Sequence, residues 1–126
     1  MALLASVFVA LAGLLHVYIF LMESTWWTRP KIWQRFGLAN QAEAETTRPL
    51  AYNQGFYNLF LAVGAILGLL LYVGGLQQAG AALILFSTAS MFLAAIVLTT
   101  TGPGRVKSAL TQGTLPLIGF ILFLFA

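Results

Sequence analysis

The chain has no cysteine, which removes disulfides and thiolate chemistry and leaves its redox compartment unmarked. A single histidine is too few for a multi-histidine metal site within the chain, so no metal is expected. Charge is scarce, at 7% of 126 residues, with six basic against three acidic side chains. There is no Gly-rich phosphate loop after a strand, no nucleophile elbow and no zinc motif. The basic excess does not point to nucleic acid. The cations sit in two loops beside apolar runs, where anionic lipid head groups are their natural partners. What is abundant is apolar: 60% of residues are hydrophobic, more than a soluble domain of this length could enclose. The composition predicts one integral membrane domain in a lipid bilayer.

Four apolar stretches are long enough to cross a bilayer as helices, at about 2–22, 50–72, 78–100 and 108–125. The first lacks the charged leading region of a signal peptide and reads as a retained span. Between spans one and two, Pro30 suits a helix start and Gly37 a stop. This predicts a short helix at about 29–37, with Ile32, Trp33 and Phe36 on one side and Lys31, Gln34 and Arg35 on the other. Tryptophan and cations together suit the membrane–water interface. The polar stretch Leu38–Arg48 reads as a solvated loop with a helical turn near Ala42–Glu45, and Pro49 as part of the first turn of span two. Gly74-Gly75 and Gly102-Pro103-Gly104 end spans two and three. The expected fold is an all-α antiparallel bundle of four transmembrane helices, forming a homo-oligomer, with a short interfacial helix in loop one.

Arg29, Lys31, Arg35 and Arg48 lie in the first loop and Arg105 and Lys107 in the third, while the second loop and both ends carry neither lysine nor arginine. The positive-inside rule places loops one and three in the cytoplasm and both termini outside.

Candidate functional residues concentrate at that basic end. Span two opens Tyr52-Asn53-Gln54-Gly55-Phe56-Tyr57-Asn58, and unpaired amides are costly in hydrocarbon. Helical pitch sets Asn53 and Tyr57 in line with Gly64 and Gly68, with Gln54 and Asn58 on an adjacent stripe. Glu23 ends span one, and His16 lies two turns deeper, roughly 10 Å along the axis. Gln112 begins span four. Intramembrane ionisable residues are functional candidates by default. The expected site is a funnel lined by His16, Glu23, Asn53, Gln54, Tyr57, Asn58 and Gln112, polar at the mouth and apolar within, shaped for an amphipathic molecule.

The runs His16-Val17-Tyr18-Ile19-Phe20-Leu21-Met22-Glu23 and Asn53-Gln54-Gly55-Phe56-Tyr57-Asn58-Leu59-Phe60-Leu61-Ala62, with the tryptophan-rich loop and Phe36-Gly37 between them, resemble an uncharacterised family of small bacterial membrane proteins, a domain of unknown function. The resemblance covers almost the whole chain and implies four transmembrane helices in a bacterial inner membrane. It implies no activity. A weaker resemblance links Arg48, Asn53 and Tyr57-Asn58 to the membrane-associated eicosanoid and glutathione metabolism proteins, which hold glutathione at a trimer interface. The glutamate of that family's pattern is Tyr57 here.

Three function classes follow: binding or movement of a lipophilic or amphipathic small molecule in a cytoplasm-facing pocket, an intramembrane enzyme in which His16 or Glu23 shuttles a proton, and a structural subunit whose polar residues lock helices. The residues name no cofactor.

Overall fold

The computed structural model describes residues 1–126 and is entirely helical. Helix α1 (Ala2–Phe20) continues into a π turn at Leu21–Thr25; α2 is Pro30–Arg35, α3 Gln41–Val73, α4 Gln77–Leu98 and α5 Val106–Leu124. Four segments, Ala2–Thr25, Gln41–Val73, Gln77–Leu98 and Val106–Leu124, are long and apolar enough to cross a membrane. They pack as a ring in which α1 meets α3, α3 meets α4, α4 meets α5 and α5 returns to α1.

Small residues set how closely the ring closes. A methyl added at Gly80 would sit 2.5 Å from the Tyr72 nitrogen and 2.6 Å from the Gly68 carbonyl oxygen. One added at Gly68 would sit 2.8 Å from Ile84 Cγ1. One at Gly13 would meet Ile66 at 3.1 Å, one at Gly113 Ala95 at 2.9 Å and one at Gly119 Val9 at 3.2 Å. Every seam of the ring therefore has a glycine where an added methyl would press on the neighbouring helix, as expected where packing rather than hydrophobicity joins helices. Residue numbers rise along one helix as they fall along its neighbour: Gly64 meets Ser87, Gly68 meets Ile84, and Tyr72 meets Gly80.

The centre holds Ala5, Val9, Ala12, Ala65, Ile84, Met91 and Phe123, with Phe123 set edge-on to Tyr72 at 5.0 Å between ring centres. The outside is equally apolar. Leu3, Leu14, Phe60, Leu70, Phe86, Val97 and Leu110 are all exposed, a surface suited to lipid and not to water.

The region between spans one and two differs from its reading as a solvated loop. Helix α3 starts at Gln41, with Pro49 inside it. The start is capped twice: the Glu43 N–H donates to Asn40 Oδ1 at 2.8 Å, and Glu43 Oε2 accepts the Ala39 N–H at 2.9 Å, a reciprocal arrangement that satisfies free helix-end donors. Thirty-three residues make a helix of roughly 50 Å, against a hydrocarbon core of about 30 Å. The polar first turns thus extend the same helix beyond its apolar part.

Tertiary contacts hold that extension. Ala44 and Ala51 pack against Trp27 and Trp33 in a second small core. Trp27 Nε1 donates to Thr47 Oγ1 at 3.1 Å, and Trp33 Nε1 to Gln41 Oε1 at 2.7 Å. Both indoles therefore face protein, not the outward belt that a tryptophan-rich loop suggests. The α2 region follows its expected pattern, with Pro30 in the first turn after Arg29 and Gly37 at φ +78° ending it, a conformation that favours glycine.

Candidate functional site

The structure separates the seven expected site residues. His16, Glu23 and Asn58 turn inward, Gln112 lines a cleft, and Asn53, Gln54 and Tyr57 are exposed on the outer side of α3. The inward face of α3 is Ala51, Gly55, Ala62, Ala65 and Gly68, a stripe of small residues at helical spacing. Asn58 is in phase with that stripe; Asn53, Gln54 and Tyr57 are not. A methyl on Gly55 would collide with the Ser24 hydroxyl and lie 3.1 Å from the Phe20 carbonyl, so this face is the one that lets α1 approach. Close packing fixed the rotation of α3, and the single polar funnel is not formed.

Glu23 stands on the π turn, which closes through the Trp26 N–H donating to the Leu21 carbonyl at 3.0 Å. Such wide turns are rare and frequently mark functional positions. Glu23 is buried, and its Oε1 accepts from Asn58 Nδ2 at 2.6 Å. The next residue, Ser24, donates to the Tyr52 carbonyl at 2.8 Å. Together they fasten the end of α1 to α3. His16 lies in the central stripe with Ala5, Val9, Ala12 and Ile19. Its Nδ1 is 2.9 Å from the Ala12 carbonyl; a carbonyl only accepts, so Nδ1 is the donor and in the neutral ring Nε2 is the acceptor. His16 and Glu23 are bonded to separate partners. No three His, Cys, Asp or Glu side chains gather in a metal-sized group.

A different place has the shape of a ligand site. A cleft of about 370 Å³ opens between α1, α2 and α5, within the range of small-molecule pockets. Its floor is Leu15, Ile19 and Met22; its rim carries Arg35, Lys107, Ser108, Thr111, Gln112 and the Tyr18 hydroxyl. Arg35 Nη1 donates to that hydroxyl at 3.1 Å. Loop three is drawn to this wall because Arg105 Nη1 donates to the Phe36 carbonyl at 2.7 Å, holding the first turn of α5 beside the end of α2. Of these residues only Gln112 was among the expected site residues. Arg35 and Lys107 read as loop cations facing lipid head groups, and their meeting on one cleft depends on a contact between residues 69 apart in the chain. A second, apolar groove of about 210 Å³ runs between α4 and α5, floored by Ala95, Ala109 and Gly113.

Four packed apolar helices with a lipid-like exterior define a helical multi-pass membrane protein. More particularly, residues 10–124 match the family described as protein of unknown function (DUF1304), and the chain belongs to that family. No curated protein and no solved structure matches the chain.

Proposed function

We propose that the protein binds an amphipathic molecule in the cleft between α1, α2 and α5. The observation that carries this reading is a single cavity with an apolar floor and a hydroxyl-, amide- and cation-bearing rim. Lipid-facing helices supply an open route for a tail, and the rim receives a head group. Gln112 serves this place directly. Glu23 and Asn58 act as an interhelical lock beside it. An intramembrane enzyme gains less support, since neither His16 nor Glu23 lines the cleft.

The reading includes an antiparallel four-span domain in a bacterial inner membrane, supported by the opposed residue order of the seams. All six cations lie between residues 29 and 48 or 105 and 107, at one end of the bundle, which supports a cytoplasmic position for that end and an interfacial position for α2. A reporter fused after Ala126 then behaves as periplasmic; a cytoplasmic signal would reverse the topology. Self-association belongs to the same reading, through the exposed amides of α3, because polar side chains on a spanning helix favour a partner. A monomeric mass by light scattering in both detergent and nanodiscs would remove it.

The binding test uses purified protein in phosphatidylcholine nanodiscs and a dansyl-labelled eleven-carbon fatty acid as probe. Saturable dansyl enhancement is expected for the wild type and not for Leu15→Trp, which fills the floor. Equal signal from both, or none from the wild type, would overturn the cleft as a binding place.

A further inference from the structure

We infer that the molecule held in the cleft is anionic, with a carboxylate or phosphate held between Arg35 and Lys107. This rests on the reading that the cleft binds an amphiphile and adds the sign and chemistry of the head. The acidic side chains leave the cleft to the cations. The chain has three, and each is engaged elsewhere: Glu23 accepts from Asn58, Glu43 from the Ala39 N–H at the start of α3, and Glu45 from Gln41. None of them lines the cleft, which holds two cations and no acid. Arg35 finds a neutral acceptor in Tyr18, which orients the guanidinium without neutralising it.

Three further features favour an anion over a neutral or cationic head. Lys107 and Ser108 stand in the first turn of α5, where free N–H groups and the helix dipole add positive potential. Both cations border a low-dielectric wall formed by Leu15, Ile19 and Met22, which strengthens their field relative to open water. A guanidinium offers the paired donors that match carboxylate and phosphate oxygens. At about 370 Å³ the cleft is near the lower end of small-molecule sites. It therefore takes the head and the first stretch of a chain, and the remainder of the tail lies along the exposed helices in lipid.

The experiment compares three dansyl-labelled eleven-carbon probes on the full chain in phosphatidylcholine nanodiscs: the free acid, its methyl ester and a trimethylammonium analogue. The acid is expected to bind about tenfold more tightly than the ester, the scale of one hydrogen-bonded charge, and the ammonium probe most weakly. The double variant Arg35→Gln/Lys107→Gln should bring the acid to the affinity of the ester. Both side chains are exposed, so this variant keeps the fold, which an unchanged melting temperature verifies. Two competitors separate the sources of the anion. Phosphatidylglycerol added to the disc displaces the acid if a bilayer lipid supplies the head; millimolar inorganic phosphate displaces it if the head alone suffices. Displacement by neither leaves a single-chain carboxylate as the anion. Saturable but equal binding of acid and ester, or an acid preference that survives in the double variant, would overturn the inference while leaving the cleft as an amphiphile site. Failure of every probe to bind saturably would overturn the underlying reading instead.

Discussion

The α3–α4 seam is shut, whereas the α1–α5 wall, which includes the least apolar of the four spans, gapes. In the seam, Gly68 and Gly80 bring backbone against backbone and Gly64 lies against the Ser87 side chain, at distances where a methyl no longer fits. Toward the basic end of the other wall, Leu15, Ile19 and Met22 face Ser108, Thr111 and Gln112 across a gap, and α2 wedges Phe36 and Arg35 into its mouth. Gly119 closes that wall only further along, against Val9. Where small residues oppose one another the bundle seals, and where long and polar ones do so it leaves room.

Substitutions that force the closed seam open should have the largest effect. Gly80→Ala places a methyl against the backbone of Tyr72 and Gly68, which cannot move aside as a side chain would. A loss of about 1–3 kcal/mol or more is expected, read as a lower melting temperature in detergent. Gly64→Ala should cost less, because the methyl meets the hydroxyl of Ser87, which can rotate. Equal melting of the two variants would show that the seam is looser than its geometry.

Removing the lock between α1 and α3 comes next. Asn58→Ala takes away the amide that Glu23 accepts from, and should cost about 1 kcal/mol, the scale of interhelical hydrogen bonds in membranes. A double-mutant cycle with Glu23→Gln should show coupling; strictly additive losses would mean the pair contributes nothing as a pair.

The open wall should tolerate what the seam does not. Leu15→Trp extends a half-buried side chain into the cleft, so its melting temperature should stay near that of the wild type while probe binding disappears. A large drop in stability would mean that the cleft closes around Leu15 in the membrane. Smallest of all, Asn53→Ala and Gln54→Ala alter exposed positions and should change the stability of the monomer by no more than about 0.5 kcal/mol. Larger losses in the monomer would mean that these amides make contacts within the fold.

These contrasts also mark where the residues alone were informative. Helices are local objects, so length and hydropathy were enough to indicate four spans, and Pro30 and Gly37 were enough for the short helix between the first two. Capping is local too, but the Asn40–Glu43 start of α3 sits in a polar stretch that hydropathy reads as loop. What keeps those turns in place is burial of Trp27 and Trp33 against Ala44 and Ala51, a contact between segments that neither segment announces.

By itself the sequence determined the class of protein, because 60% hydrophobic residues in four long runs have no other stable solvent than lipid. It also determined which end of the bundle is basic. Tertiary structure alone decided which side of α3 faces inward. Polarity argued for Asn53 and Tyr57; packing chose Ala51, Gly55 and Ala62, because helix contact in a membrane is gained by close approach of small residues. That rotation joined Asn58 to Glu23 and left the other amides exposed. The bond from Arg105 to the Phe36 carbonyl then brought loop three beside α2, placing Arg35 and Lys107 on one cleft, a juxtaposition that no spacing along the chain encodes.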